Sequence, residues 1–439
     1  MTRDHGAHRD REPIHLAVRF PGVDDAPVRP GHRSGGPFDF SSFAHLARTA
    51  ERGLFDFFLL AGEPGPREHH GRDHGLDAVG RPEPLTLLGA LAAVTDRLGL
   101  AATADTTSHE PYELARRLAS LDHLSGGRAA WGVVTSSEAL TGGNFRRGGP
   151  LDRAHRRDRA AEFVTIAREL WDSWPAGTPG RSTVPRPFAH HGRHFDISGT
   201  FDVARSPQGH PVVIQAVDTG EDREFAASAA DVVLRRHGTL AAGRAFRADV
   251  TRRLGAYGRR PGELKTMSEV TVVLGDTAAE AREKAAEIRR RQASSRTAPL
   301  ALERVRSRDL PSHHPGGPPP GVDPGPAGEA ARGRAVAAAP SAVAGGLPVR
   351  RTVAGTSGGQ SFVGTPRAVA AEMAEYVAGG AADGFVLVPP PAPGGLDEFV
   401  DRVVPLLQER GVFRTEYAGT TLREHLGLPA ARQPDHVKG

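Results

Sequence analysis

Residues Glu83–Thr107 read EPLTLLGALAAVTDRLGLAATADTT, and Glu110–Ser136 continue as EPYELARRLASLDHLSGGRAAWGVVTS. The first run opens on an apolar segment of helical length, Glu83–Thr95, closed by Arg97 and Gly99. A basic residue followed by glycine is how a helix ends. Leu100–Ala104 is then a short apolar run, the form of a strand buried on both faces. Pro111–Leu121 reads as a second helix and Ala129–Thr135 as a second strand. Short apolar strands alternating with helices predict a parallel sheet joined by right-handed crossovers.

The same alternation extends in both directions. Upstream lie a strand at Ile14–Phe20, a helix at Asp39–Arg52 and a strand at Phe55–Leu60. That helix has Phe40, Phe43, Leu46, Ala47 and Ala50 at helical spacing and Gly53 just past its end. Downstream, strands are predicted at Val212–Ala216, Asp231–Leu234, Thr266–Leu274 and Gly384–Val388. Helices are predicted at Ala160–Ser173, Glu221–Ala230, Ala242–Tyr257, Thr277–Ser294, Pro366–Val377 and Leu396–Arg410. Closed into a ring, the strands form a (β/α)8 barrel; left open, they form a doubly wound sheet. Periodicity does not choose between the two. No glycine-rich dinucleotide fingerprint follows any strand, which weighs against the open, nucleotide-binding form.

Composition narrows the function classes. The chain has 439 residues, 38% of them hydrophobic, with 53 glycines and 36 prolines, so part of it is loop. One domain is expected over residues 13–429, with flexible termini at 1–12 and 430–439. Pro311–Gly346 is almost entirely Pro, Gly and Ala, and is expected to be a mobile insertion. With no cysteine, disulfides, thiolate metal sites and cysteine nucleophiles are excluded. Residues Met1–Pro13 are polar and no apolar run is long enough to cross a bilayer, so a cytoplasmic protein without membrane contact is expected. The net charge of +4 comes from scattered arginines, and aromatics are only 6%, so no nucleic-acid partner is expected. His69, His70 and His74 share a loop with Asp73 but lack a fixed ligand spacing, and no metal site is expected there.

Four stretches carry a family resemblance. They are Ala47–Leu60 (ARTAERGLFDFFLL), Glu83–Thr135, Glu162–Trp174 (ending LWDSW), and Gly384–Pro429 with its PGGLDEFV, GVFRTEY and TLREHLGLP. Together they resemble the flavin-dependent, luciferase-like monooxygenases, in the branch of nitrilotriacetate, desulfurisation and long-chain alkane monooxygenases. The resemblance implies a (β/α)8 TIM barrel with insertions, assembled as a homodimer or as a heterodimer with a related subunit. It also implies reduced FMN supplied by a separate flavin reductase, and oxidation of a small organic substrate with O2. In such a barrel the site lies at the C-terminal ends of the strands.

Projected onto this chain, the resemblance implies several cofactor-binding positions. Thr103 would hydrogen-bond an edge of the flavin ring, and Thr135 would lie at the next strand end. Asp105 stands where the family usually has Ser, which is unfavourable beside a reduced flavin unless the carboxylate is paired. Gly62 replaces an Asp, with Glu63 one residue later, and Gly132 replaces an Asn. Arg153 and Arg157 fall where the family has His and Tyr near the phosphate, and two guanidinium groups could grip it. Asp218, Thr219 and Gly220 form the turn that would cradle the phosphate at a helix N-terminus. Asp218, Glu221 and Asp222 put negative charge there, although acidic residues are also ordinary at a helix start. His109, beside Glu110, is the acid/base candidate. The same departures support an alternative: a flavin-poor or non-catalytic homologue acting as a partner subunit or a ligand-binding barrel. Weak FMN binding is the resulting expectation.

Overall fold

The computed structural model describes residues 13–20, 40–60, 68–69, 72–73, 82–135, 153–175, 184–217, 220–292, 362–388 and 395–431. Eight strands close into a barrel: β1 (His15–Phe20), β2 (Phe57–Leu60), β3 (Gly99–Asp105), β4 (Ala129–Val134), β5 (Val212–Ala216), β6 (Val232–Arg236), β7 (Lys265–Val270) and β8 (Gly384–Leu387). Each pairs in parallel with its sequence neighbour, and β8 pairs back onto β1. The ring, not the open sheet, is therefore the form this alternation takes, and all eight predicted strands fall on it. The 311–346 stretch, and residues 1–12 and 432–439, lie outside the described residues.

Side chains alternate across each strand, and the two faces have different partners. Ala17, Phe57, Leu59, Ala101, Ala130, Val212, Ile214, Val232, Leu234, Met267 and Val386 point inward and pack together. Small residues opposite Phe57 and Met267 let the interior fill as a core with no pore. The other face, including Leu16, Val18, Phe58, Leu60 and Leu100, packs beneath the helices. Those helices are α1 (Phe40–Arg52), α2 (Pro84–Ala92), α3 (Pro111–Leu124), α4 (Arg153–Asp172), α5 (Gly220–Ala229), α6 (Leu240–Ala256), α7 (Ala278–Gln292) and α8 (Pro366–Ala378).

Two predicted elements are divided. The helix expected over Leu396–Arg410 is α9 (Gly395–Arg402) followed by α10 (Val404–Glu409). Pro405, which lacks an N–H and crowds the preceding turn, accounts for the break. The strand expected over Thr266–Leu274 leaves the barrel after Val270, and Val272–Leu274 pairs instead with Phe362–Gly364.

The N-terminal end of the barrel is stoppered. Helix α11 (Leu422–His425) starts with a capping box between Thr421 and Glu424 and places Leu422, Leu426 and Leu428 against the interior residues. Around this rim, three aspartates each sit one residue before a strand and accept a backbone N–H from a neighbouring strand. Asp56 takes Leu16 N at 2.9 Å, Asp231 takes Val213 N at 2.9 Å and Asp383 takes Thr266 N at 2.7 Å. Each is also paired with arginine: Arg414, Arg423 and Arg247 respectively. Arg414 and His15 hold the fully buried Asp56 carboxyl down at about 2, against the opposing effect of burial.

Candidate functional site

With one end stoppered, the C-terminal strand ends form the mouth. The alternation set by the interior residues carries upward to Arg19, Thr103, Asp105, Gly132, Val134, Ala216, Arg236 and Glu269 as the next inward positions. On the β3–β5 side these are small and uncharged, apart from Asp105. Gly132 lies beside Thr103 in the register, and a Cβ at 132 would meet Thr103 Cγ2 at 3.1 Å. Glycine therefore keeps this part of the wall flat. Thr135 follows β4 and is half-buried.

Asp105 does not present a loose charge to the mouth. Its carboxylate accepts from Thr107 N at 2.6 Å and from Ser108 Oγ at 3.1 Å, and it is buried. It caps the turn that leads from β3 to α3, the ordinary use of an aspartate at a turn. His109 Nδ1 lies 2.9 Å from the Asp105 carbonyl oxygen. A carbonyl only accepts, so this contact assigns the proton to Nδ1 and leaves Nε2 as the acceptor nitrogen.

Helix α4 ties the mouth to α5. Arg159 donates from Nε to the Thr106 carbonyl at 3.3 Å and stacks over Phe195 at 4.1 Å. Phe195 belongs to a hairpin, Phe188–His191 with Asp196–Gly199, whose turn is held by Glu162 accepting the amides of His194 and Phe195. Two residues before Arg159 on the same helix, Arg157 reaches the start of α5. Its Nη2 and Nε lie 3.0 and 3.2 Å from Asp222 Oδ1, and it also pairs with Glu221. The arginine expected to attract an anion thus offsets one of the two described carboxylate charges expected to repel it. Gly220 opens α5, is exposed, and has no atom within 4 Å of where a Cβ would stand. Arg153 is the first residue of α4, with its side chain outside the described set, as are Asp218, Thr219, Gly62, Glu63, His70 and His74. Among the described residues there is no group of three metal-ligating side chains, and no helix is long and apolar enough to cross a membrane.

Several charged groups were not singled out from the sequence. Arg19 Nη1 donates to Glu269 Oε1 at 3.1 Å in the mouth itself. The alternation of β1 and β7 was the available signal, because each charge stands two residues after a buried interior side chain. His237, just after β6, packs against Tyr376 and Phe362 at 4.6 and 4.9 Å. Burial, with Arg235 nearby, pushes its imidazole down to about 4, so it is a neutral packing residue of the helical layer. A cavity of about 670 Å³ lined by Glu51, Asp96, Arg97, Ser125, Gly126 and Thr420 lies at the opposite, N-terminal end. Its Glu51 already accepts the amides of Asp96, Arg97 and Leu98. Carboxylates engaged this way hold loops together, and the stoppered end of such a barrel is its stability face.

Comparison with known proteins agrees with this geometry. A family profile described as luciferase-like monooxygenase matches residues 21–383. N-acetyl-S-(2-succino)cysteine monooxygenase of Bacillus subtilis (strain 168) is 38% identical over 411 residues, covering 91% of this chain and 92% of its own. Nitrilotriacetate monooxygenase component A of Aminobacter aminovorans is 39% identical over 410 residues, covering 89% and 90%. A crystal structure of riboflavin lyase with modified FMN and riboflavin superimposes with a TM-score of 0.79 at 27% identity, covering 95% and 96%.

Proposed function

The chain belongs to the luciferase-like monooxygenase family, and from that premise we propose that it is the oxygenase of a two-component system, oxidising a small organic substrate with O2 by means of reduced FMN from a separate flavin reductase. The flat stretch of wall at Thr103 and Gly132 carries this reading. At Gly132 a side chain would crowd Thr103, and its absence leaves room for a planar ring against β3 and β4. The name of the Aminobacter relative, a component A, supports a partner that supplies the flavin. A chain without cysteine suits the reducing cytoplasm in which such a pair would work.

Reduced FMN, when bound, supplies the electrons that activate O2. The chain's own residues bind, orient and exclude water. The backbone amides opening α5 at Gly220 would receive the phosphate, with Thr219 and Asp218 as the preceding residues of the sequence. Arg157, already oriented by Asp222, and Arg153 at the start of α4 supply positive charge beside it. Thr103 and Thr135 offer hydroxyls to the ring edge. Asp105 shapes the turn, and through its carbonyl it orients His109, whose Nε2 would take or return a proton on the substrate.

The alternative, a partner subunit or ligand-binding barrel that has lost its flavin, draws on the changes at Gly62, Gly132, Arg153, Arg157, Asp218 and Asp222. Of these, Asp222 is engaged by Arg157, which weakens the case for uncompensated acid at that position. The test is anaerobic titration of the full chain with FMN and with reduced FMN, followed by air and by a flavin reductase with candidate substrates. Saturable binding of the reduced form and oxygen-dependent product are expected. No binding of either redox state would overturn the reading.

A further inference from the structure

The hairpin of Phe188–His191 and Asp196–Gly199 docks on α4 through one imidazole. His190, on its first strand, meets Glu162 and Glu169, which stand two helical turns apart on one face of α4. Its Nδ1 lies 3.1 Å from Glu169 Oε2 and its Nε2 lies 3.4 Å from Glu162 Oε1. A carboxylate only accepts. A neutral imidazole carries one N–H and satisfies one of these contacts, whereas the imidazolium donates to both. Gly192, in the turn, lets the groups close up: a Cβ there would collide with Glu162 Oε1 and His190 Nε2. Glu162 also accepts the amides of His194 and Phe195 at 3.0 and 2.8 Å. Phe195 is the ring on which Arg159 stacks, and Arg159 Nε donates to the Thr106 carbonyl just after β3. A continuous set of contacts therefore runs from His190 to the mouth.

We propose that His190 is a proton-operated latch: as an imidazolium bridging Glu162 and Glu169 it holds the hairpin on α4, and its loss of a proton loosens the hairpin and the Thr106 turn that the hairpin supports. The latch is closed at acid pH and eases as pH rises. A neutral ring leaves one carboxylate without its N–H and removes the cation between two acids. Glu162 keeps its two amide donors, so the hairpin loosens without coming apart. The other charged groups around the hairpin are engaged elsewhere: Arg193 with Asp158, His191 with Asp196, and Arg159 with the Thr106 carbonyl. His194 is the second imidazole of the turn, and its Nε2 is buried without a hydrogen-bond partner among the described residues. It faces no carboxylate through its ring, so it does not bridge α4 as His190 does. The His190 and Glu162 side chains are 15% and 13% exposed, which shields their contact from solvent more than the surface pair of His191 and Asp196.

The test is hydrogen exchange of the full chain, followed by mass spectrometry at about pH 5.5 and about pH 8, on either side of the range in which histidine titrates. Rates are divided by the intrinsic chemical rate at each pH. Opening of the hairpin peptide should be about twofold to fivefold greater at the higher pH, the size expected for losing one partly exposed ionic contact. The peptide containing Thr106–Glu110 should follow in the same direction with a smaller amplitude. His190→Gln should open the hairpin at both pH values and abolish the difference. His190→Lys, which stays charged throughout, should keep it protected at both. Glu169→Gln should remove most of the difference, while His191→Gln and His194→Gln should retain it. Equal protection of the parent at both pH values, a difference that survives in His190→Gln, or one that vanishes in His194→Gln would overturn the proposal. A hairpin that responds while Thr106–Glu110 does not would overturn its link to the mouth.

Discussion

Replacing Arg157 with alanine tests how the phosphate end of the site is balanced. Arg157 lies 3.0 Å from Asp222 and also pairs with Glu221, at the N-terminus of α5. Without it, both carboxylates remain beside the amides that would receive the FMN phosphate. At a separation of about 5 Å and an effective dielectric of about 20, one unit charge repels another by roughly 3 kcal/mol. Asp222 and Glu221 are 21% and 71% exposed at the side chain, so water and salt take a share of this. About 1.4–2.8 kcal/mol is the reasonable remainder, a weakening of FMN by about 10–100-fold.

Fluorescence titration with FMN and riboflavin reads this out. Riboflavin has no phosphate, so its affinity should not change in Arg157→Ala. Asp222→Asn added to Arg157→Ala should recover much of the lost FMN affinity. Asp222→Asn alone, which releases Arg157 toward the phosphate, should tighten FMN modestly. Equal loss of FMN and riboflavin, or no loss of FMN, would refute the electrostatic argument and place the phosphate away from α5.

Four further outcomes are expected. Gly132→Val, pressing on Thr103, should weaken FMN and riboflavin alike while melting close to the parent, as measured by titration and calorimetry. His109→Gln should leave FMN binding unchanged but lower turnover in steady-state assays; unaltered turnover would exclude an acid/base role. Arg414→Met, which leaves the buried Asp56 charge without its main partner, should cost about 3–5 kcal/mol in denaturant unfolding. Burial pushes the Asp122 carboxyl up from 3.8 to about 6, against the amide of Ala129 and the side chain of Gln208, which lower it. A raised native pKa means that its contribution is fully present below pH about 4 and is lost as pH rises through about 6, roughly 3 kcal/mol in all. Asp122→Asn should flatten stability across that window, and parallel curves for variant and parent would refute the assignment.

The barrel strands were legible because each is a short apolar run between polar signals, and closure asks nothing more of their residues than that. What the period could not reveal was the partner of β1, since an edge strand and a ring strand have the same pattern. Pro405 was visible in the sequence but lay within an apolar periodic stretch that reads as one helix, and the local ring constraint won. Val272–Leu274 looked continuous with β7, yet its partner lies 90 residues along the chain at Phe362–Gly364, and no local pattern encodes a pairing that distant.

The candidate site was legible position by position but not in its pairings. Arg157 and Asp222 each had a visible charge, and read separately they argued opposite ways about the cofactor. Only their contact across α4 and α5 shows that the arginine is already engaged by the acid it was set against. The C-terminal stretch shows the converse problem. GVFRTEY and TLREHLGLP were among the most specific marks of family, yet they lie at the stoppered end, where Arg414 and Arg423 pair with Asp56 and Asp231. Family likeness there records how the barrel is closed. Arg423→Met should therefore lower stability in denaturant unfolding, because it strips the buried Asp231 of its partner, and leave FMN affinity of the folded protein near the parent; loss of FMN binding without loss of stability would refute this division of roles between the two ends of the barrel.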